Sequence, residues 1–469
     1  MMIILLWIGI VALSIWRVNP PSADESCSIF QSMLINVERF TINERWVGSP
    51  ELTEVRDKII AEIEEMGITP VIHSTKYTFE DIFEAMCQVH ALHNYEKTIR
   101  ERKRDFDLWS SSWHNSIERF FPEHPLDYQG YMYIENIWVT LESQNPYAGG
   151  MMFVSHLDSA INSPGAADAM VHVTAMLEAM RIHANNPNLQ NNLHFLFTDG
   201  EELYSLGALA FSKDFLEVSK NVDMLINLES IGNRGGLVNF QTSDKPFNIV
   251  RLYNKVAPKP IGFHWGDWVY RTFMPWFWTD FTFLREYGFR GMNFAILGGQ
   301  EHYHRPTDTH YNLNRNTAWH ILGTVLSLST YAANNSLEIF HKPPQEAVFF
   351  PFLPTMKMVV MTVTTANILT VSAFVVAVLF MFYRFKAKIK NADFITIFVG
   401  VLVIITILIM IFANPISYLF WLPLLVISMA AFLIKKPVLY RYAMNVANMI
   451  ILLLWTPPIY LMYSLLPKT

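Results

Sequence analysis

The stretch MMFVSHLDSAINSPGAAD (151–168) joins a short apolar run to a polar, turn-forming segment. The apolar part, 151–155, is typical of a strand that is buried on both faces. His156 follows this run directly, and Asp168 lies beyond a series of small residues. A buried strand that leads into a histidine and an acid predicts either a polar turn or the first part of a metal site.

The surrounding sequence, from about 30 to 340, repeats this alternation of apolar runs and helical patterns. Further strands are predicted at 194–197, 224–227 and 292–297, and helices at 51–67 and 169–185. This pattern predicts an α/β domain with a mixed, mostly parallel sheet flanked by helices. The charged and aromatic segment 90–130 does not fit the alternation, and we interpret it as an insertion.

The composition indicates membrane content. Hydrophobic residues make up 52% of the chain and charged residues 16%, whereas about 25% charged residues is typical of soluble proteins. The apolar residues 1–16 predict an N-terminal anchor or a signal peptide. In the tail, 357–469, four further stretches have the length of membrane spans; they are 358–383, 394–413, 415–434 and 444–465.

Basic clusters predict the orientation of these spans. The segments 384–390 and 435–441 are rich in lysine and arginine, and such clusters favour the cytosolic side of a membrane. Residues 17–356 are therefore predicted to be lumenal or extracellular, where Asn334 is a glycosylation acceptor in Asn-Asn-Ser. This part is acidic, because the tail contains nine of the 35 basic residues and only one of the 41 acids. An acidic domain argues against nucleic-acid binding.

Each predicted strand of the domain ends in polar residues with metal-binding side chains. Ligands of open α/β sheets bind beyond the carboxyl ends of the strands. Acids that meet there repel one another unless a cation is present. The candidate residues are His156, Asp168, Glu201, Glu202 and Glu229, together with His302 or His304. Nitrogen and oxygen ligands without a thiolate favour zinc in a catalytic site, as one ion or a pair.

Five segments together resemble a known group of enzymes. In order and spacing, they resemble the co-catalytic zinc aminopeptidases and carboxypeptidases of metallopeptidase clan MH. The branch that the chain most resembles is the endoplasmic reticulum metallopeptidase (Felix-ina) type, which has a lumenal peptidase domain and C-terminal transmembrane helices. The segments are SHLDSAINSPGAAD (155–168), TDGEELYSLGA (198–208), NLESIG (227–232), TDFTFLREYG (279–288) and HYHRPTDT (302–309).

The resemblance implies a role for each candidate residue. Two zinc ions are expected, with Asp168 as the ligand that bridges them and Glu201 as the general base. The remaining implied ligands are His156, Glu202, Glu229 and His304. The sequence does not assign whether Glu202 shares a zinc with His156 or with His304.

Two further residues receive roles near the metals, and three features depart from the family pattern. Asp158 is expected to hydrogen-bond the second ring nitrogen of His156, and Tyr303 to donate a hydrogen bond to the developing oxyanion. Glu229 stands where many relatives have Asp, although the endoplasmic reticulum branch also has Glu. Ala169 replaces an Asp of that branch, and the four predicted spans are fewer than the longer relatives have.

The predicted function is a membrane-anchored, zinc-dependent exopeptidase, most simply an aminopeptidase, that acts on peptides from the lumenal side of the endoplasmic reticulum or another endomembrane. Two alternatives stay open: a glutaminyl-cyclase-like enzyme with one zinc, and an inactive peptidase fold that serves as a receptor or scaffold. The aromatic segment 265–278 either lines a pocket or packs against the tail. The other polar residues of these segments are expected to be structural; they are His264, His310, His320, Asp199, Asp280 and Asp308.

Overall fold

The computed structural model describes residues 19–92, 131–264, 266, 278–351, 357–369 and 371–372. Several predictions fall on other parts of the chain and so lie outside the described residues. They concern the apolar segment 1–16, most of 90–130, most of 265–278 and the tail beyond 372.

A seven-stranded sheet forms the centre of the described domain. Its strands are β1 (Val71–Tyr77), β2 (Met132–Leu141), β3 (Gly150–His156), β4 (Asn192–Thr198), β5 (Met224–Ser230), β6 (Arg234–Thr242) and β7 (Gly291–Gly298). Their order across the sheet is β1-β2-β4-β3-β5-β7-β6. The four central strands, β4, β3, β5 and β7, are parallel, and the three outer strands pair antiparallel with their neighbours.

Helices cover both faces of the sheet, as predicted. They are α1 (Ser28–Phe40), α2 (Pro50–Glu65), α3 (Phe79–Leu92), α4 (Val171–His183), α5 (Leu206–Asp214), α6 (Phe247–Val256), α7 (Asp280–Glu286) and α8 (Arg315–Asn334). Helices α1, α2, α4, α6 and α8 pack on one face. Helices α3, α5 and α7 pack on the other.

The local sequence explains these elements. In β3, Met151 and Phe153 pack on one face of the sheet and Met152 and Val154 on the other, so the strand is buried on both sides. Helix α2 begins where Ser49 accepts a hydrogen bond from the Leu52 amide, with proline at the first helical position, a sequence that favours helix initiation. The predicted strands 151–155, 194–197, 224–227 and 292–297 all lie within observed strands.

The first residues of the span predicted at about 358–383 form a strand. The predicted span 358–383 begins with Met358–Thr362, but these residues form strand β9, which pairs antiparallel with β8 (Ala347–Pro351). The Asn254 side chain of α6 holds the start of β9, since it donates to the Met358 carbonyl (3.0 Å) and accepts from the Met358 amide (2.7 Å). Apolar, β-branched residues suit a strand as well as a span. Among the described residues, no helix has the length and apolarity to cross a membrane.

Candidate metal centre

The parallel strands bring the predicted residues to one edge of the sheet. His156 is the last residue of β3, and Glu229 lies one residue before the end of β5. Glu201 and Glu202 follow β4 in a turn, and His304 follows β7. Asp168 lies in the turn Ala166–Met170, where its backbone angles are not helical (φ −115°, ψ 86°), and this turn leads into α4.

The six side chains form two groups, in each of which one nitrogen or oxygen atom per residue lies within 4.8 Å of the others. One group contains His156, Glu201 and Glu229, and the other contains Asp168, Glu202 and His304. Each group combines one histidine with two carboxylates, which is a set of ligands that suits a divalent metal ion.

Asp168 joins the two groups. Its Oδ1 lies 3.2 Å from His156 Nε2, and its Oδ2 lies 3.3 Å from His304 Nε2. The two histidines thus approach opposite oxygens of this one carboxylate.

Two of the other carboxylates lie at similar distances from the histidines. Glu229 Oε1 lies 3.3 Å from His156 Nε2, and Glu202 Oε2 lies 3.0 Å from His304 Nε2. Glu202 therefore lies with His304 and not with His156, an assignment that the sequence left open. Of the two candidate histidines in 302–308, His304 is the one in the cluster.

The electrostatics of the cluster favour a bound cation. Burial raises the pKa of Glu201 well above its usual value and that of Glu229 to about 8. Burial would lower the pKa of His304, but Glu202 and Asp168 raise it to about 11. Within the described part of the chain, the buried oxygens Glu202 Oε1 and Glu229 Oε2 have no hydrogen-bond partner. Buried carboxylate oxygens without a partner are costly, and a metal ion would satisfy them.

These shifts predict how the stability of the metal-free chain depends on pH. Glu229 and Asp308 have pKa values raised by burial to about 8 and about 7, whereas carboxyls of an unfolded chain ionise near pH ~4. Between about pH 4 and 7 the folded chain therefore holds protons that the unfolded chain has released. We expect the free energy of unfolding to fall as the pH rises, by about 1.4 kcal/mol per pH unit for each such carboxyl.

Urea denaturation of the chelator-treated chain across this pH range measures the effect. Because zinc binds ionised carboxylates, added zinc should weaken or reverse the trend. A chelator-treated chain whose stability rises with pH in this range would contradict the raised pKa values.

Asp158 differs in its contacts from the sequence prediction. His156 Nδ1 donates to the main-chain carbonyl of Asp158 at 3.0 Å, and the Asp158 carboxylate lies farther away, at 3.5 Å. Because a carbonyl only accepts, Nδ1 carries a hydrogen, and Nε2 is the ring atom that would bind a metal ion in the cluster. The two carboxylate oxygens of Asp158 instead accept from the Glu201 and Glu202 amides, both at 3.1 Å. Asp158 thus holds the turn that carries both glutamates.

Three other acids have structural contacts, in agreement with the sequence interpretation. Asp308 accepts from the amides of Ala167 (2.9 Å) and Asp168 (3.1 Å). Asp280, at the start of α7, accepts from the Thr198 hydroxyl. Asp199 accepts from the main-chain amide of Glu135, at 2.9 Å.

Tyr303 lies at the open side of the cluster. Its ring stacks on His304 with the centroids 3.7 Å apart, and 38% of the His304 side chain is exposed to solvent. Burial and the nearby carboxylates raise the pKa of Tyr303 well above 10. The phenol therefore keeps its proton at neutral pH and can donate a hydrogen bond.

The remaining histidines of the sequence analysis are engaged elsewhere. His320 accepts from the Leu237 amide and pairs with the Lys259 carbonyl. His264 contacts the Phe349 carbonyl, and His310 lies 3.6 Å from Glu38. None of them is in the two metal-binding groups of the described residues.

Three residues near the cluster escaped the sequence analysis. The Ser205 hydroxyl donates to Glu201 Oε1 at 3.4 Å. Ser205 lies in segment 198–208, which carries both glutamates, and this position could have identified it as a site residue. His172 on α4 is buried and lies 2.9 Å from the Ser230 hydroxyl. Arg45 is fully buried against the segment that follows β3. No motif distinguishes His172 or Arg45 in the sequence.

Comparison with known proteins finds relatives for part of this chain. A vacuolar membrane protease of Saccharomyces cerevisiae is 32% identical over 226 residues, which are 48% of this chain and 22% of that protein. A vacuolar membrane protease of Candida dubliniensis is 24% identical over 243 residues, 52% of this chain and 26% of that protein. The matched part thus spans about a quarter or less of the length of these relatives.

The solved structures found by comparison include two kinds of enzyme. An aminopeptidase from Aneurinibacillus sp. strain AM-1 has a TM-score of 0.48 at 14% identity, covering 71% of this chain and 98% of that chain. A glutaminyl cyclase from Porphyromonas gingivalis has a TM-score of 0.45 at 14% identity, covering 65% and 99%. Neither value separates the two activities. In sequence, residues 136–329 match the family model of peptidase family M28, and all six residues of the two metal-binding groups lie within this match.

Proposed function

We propose that the chain is a membrane-anchored, zinc-dependent exopeptidase that holds two zinc ions and removes amino-terminal residues from peptides. The observation that carries the proposal is the pair of ligand groups that share Asp168. Glutaminyl-cyclase-like chemistry on a single zinc would need only one of these groups. A receptor or scaffold would need neither, yet both are complete.

The residues fit zinc in an open catalytic site. We assign His156, Glu229 and one oxygen of Asp168 to the first ion. Glu202, His304 and the other oxygen of Asp168 are assigned to the second ion. Nitrogen and carboxylate ligands in sets of three are typical of catalytic zinc, which keeps a further position for water or substrate.

The proposed chemistry divides between the metal and the protein. Bound zinc would activate water and polarise the scissile carbonyl. Glu201, whose burial raises its pKa, would accept the proton of the attacking water and return it to the leaving amine. Its hydrogen bond from Ser205 would orient the carboxylate, and Tyr303 would donate to the oxyanion.

The charge of the cluster does not by itself select one end of a peptide. The cluster contains four carboxylates and two histidines, and two zinc ions would bring four positive charges that offset the carboxylates. The proposed action at the amino end therefore rests on the resemblance of the five segments to zinc aminopeptidases.

The proposed location is an endomembrane with the peptidase domain on the lumenal side. Similarity to vacuolar membrane proteases supports an endomembrane, and the endoplasmic reticulum and the vacuole are the two candidates. The sequence predicts the lumenal side and the spans of the tail. The glycosylation acceptor Asn334 is exposed at the end of α8, as lumenal modification requires.

Metal analysis and peptide cleavage together test the function. We expect the full-length chain, purified in detergent, to contain about two zinc ions and to cleave peptides with a free amino terminus. N-acetylated versions of the same peptides serve as the matched control and should resist cleavage. Chelation should abolish activity, and added zinc should restore it.

Two other outcomes would each lead to a different conclusion about the function. One zinc per chain, with cyclisation of amino-terminal glutamine, would support the cyclase alternative. A folded chain that binds no zinc would overturn the enzymatic proposal.

A further inference from the structure

Arg45 is a fully buried arginine between α1 and α2. Its side chain donates hydrogen bonds to four main-chain carbonyls, those of Phe40, Leu157, Pro164 and Gly165. Nε lies 3.1 Å from the Leu157 carbonyl, and Nη2 lies 3.2 Å from the Gly165 carbonyl. Among the described residues, the side-chain acceptors of Arg45 are all carbonyls, which is unusual because buried charges commonly pair with acids.

These carbonyls lie at both ends of one segment. Residues 157–165 connect His156 to the turn that carries Asp168, and Arg45 contacts the first residue and the last two. Its main chain also bonds the middle of the segment, since the Arg45 amide donates to the Ser159 hydroxyl (2.8 Å) and the Arg45 carbonyl accepts from the Ser159 amide (2.9 Å). One residue therefore sets the separation between two proposed metal ligands.

Asp308 contacts the three residues that follow this segment. Its main-chain carbonyl accepts from the Ala166 amide at 3.1 Å, and its carboxylate accepts from the next two amides, those of Ala167 and Asp168. Arg45 thus binds the carbonyls just before the turn Ala166–Met170, and Asp308 binds the amides within it.

Little space surrounds Gly165, which lies between Arg45 and the main chain of Asp168. It has a positive φ of 62°, and a Cβ atom there would lie 2.5 Å from the Asp168 carbonyl oxygen and 3.1 Å from Arg45 Nη2. The path of the segment is therefore fixed by contacts to Arg45 on one side and to the Asp168 main chain on the other.

The charge of Arg45 also acts on the cluster. Burial lowers the pKa of Arg45 to about 10, while Asp308, Asp158 and Asp168 favour its charged form. The guanidinium is therefore charged at neutral pH, and its field favours ionised carboxylates at the metal centre.

We propose that Arg45 is a positioning residue for the metal centre, which holds segment 157–165 so that the two oxygens of Asp168 face His156 and His304. This inference rests on the proposed function, since it assumes that Asp168 bridges two metal ions. Outer residues that orient metal ligands commonly change metal affinity when they are replaced.

Zinc affinity measured by competition with a chromophoric chelator tests the proposal on the full-length chain. We expect Arg45→Met, which removes the donors and the charge, to weaken binding of at least one zinc ion by about 10–100-fold. Arg45→Lys, which keeps the charge but lacks the planar fork, should fall between Arg45→Met and the wild type. The absorption spectrum of the cobalt-substituted chain should shift in the same variants, because it reports ligand geometry.

Arg181→Met is the matched control. Arg181 is partly exposed on α4 and pairs with Glu62, away from the cluster, so its loss should leave zinc affinity unchanged. If Arg45→Met unfolds more easily but binds two zinc ions with wild-type affinity and spectrum, the proposal is wrong and Arg45 only stabilises the fold.

A second variant keeps the test decisive if Arg45→Met does not fold. Gly165→Ala disturbs the same segment, because its Cβ would lie 2.5 Å from the Asp168 carbonyl oxygen, and it should also weaken zinc binding. Wild-type zinc affinity in both Gly165→Ala and Arg45→Lys would overturn the proposal. A wild-type chain without zinc would instead refute the proposed function, and this result is known before any variant is measured.

Discussion

Replacement of Glu201 by Gln is expected to lower kcat by about 10²–10⁴-fold, the usual contribution of a general base, while the chain keeps its zinc. Glutamine has nearly the same shape but does not accept the proton of the attacking water. The hydrogen bond from Ser205 can persist on the amide oxygen, so the side chain should stay in place. Steady-state cleavage of a peptide with a free amino terminus, together with zinc content, measures both expectations.

The matched control for this variant is Glu178→Gln. Glu178 is another buried glutamate, on α4, and it accepts from the Ser32 hydroxyl, outside the two metal-binding groups. Its replacement should leave kcat unchanged.

The zinc content of the Glu201→Gln variant decides whether Glu201 is a general base or a metal ligand. The distances alone also allow Glu201 to be a ligand beside His156 and Glu229. Loss of zinc from Glu201→Gln would show that it is a ligand. Full activity with full zinc content would show that another group is the base.

Replacement of Asp168 by Ala is expected to have the second large effect. This carboxylate lies within 3.3 Å of both His156 Nε2 and His304 Nε2, so its loss removes a ligand from each proposed ion. Zinc content should fall below two per chain. The value of kcat/KM should fall by more than the ~10–100-fold that is typical when an outer residue of a metal site is lost.

Zinc content and kcat/KM of the purified variant provide the measurement, and Asp214→Ala provides the control. Asp214 is the last residue of α5 and pairs with His73 of the edge strand β1, and it is outside the two groups. If Asp168→Ala retained two zinc ions with wild-type affinity, Asp168 would not bridge them.

Much of the sheet could be predicted because its central strands have a strong local signal. Strands β3, β4, β5 and β7 are buried on both faces, so their sequences are short, continuous apolar runs. The outer strands β1, β2 and β6 pair antiparallel and have weaker patterns; β1, for example, alternates between exposed and partly buried residues. Their place depends on partners that are distant in sequence, which a local pattern does not contain.

The first residues of the apolar tail also depend on partners that a local sequence pattern does not contain. The run Met358–Thr362 is apolar enough for a span, but it pairs with β8 and bonds Asn254. Hydrophobicity measures the preference for leaving water and does not distinguish a sheet from a bilayer over five residues.

By itself, the sequence determined the chemistry of the site: which strands end at the edge of the sheet, and which histidines and acids follow them. Both depend on residues that are close together in the chain. Only the tertiary structure decided that Glu202 lies with His304, that Asp158 binds main-chain amides, and that Arg45 supports the segment between His156 and Asp168. The reason is physical: these contacts join residues from separate loops, and their distances are fixed by how the strands and helices pack.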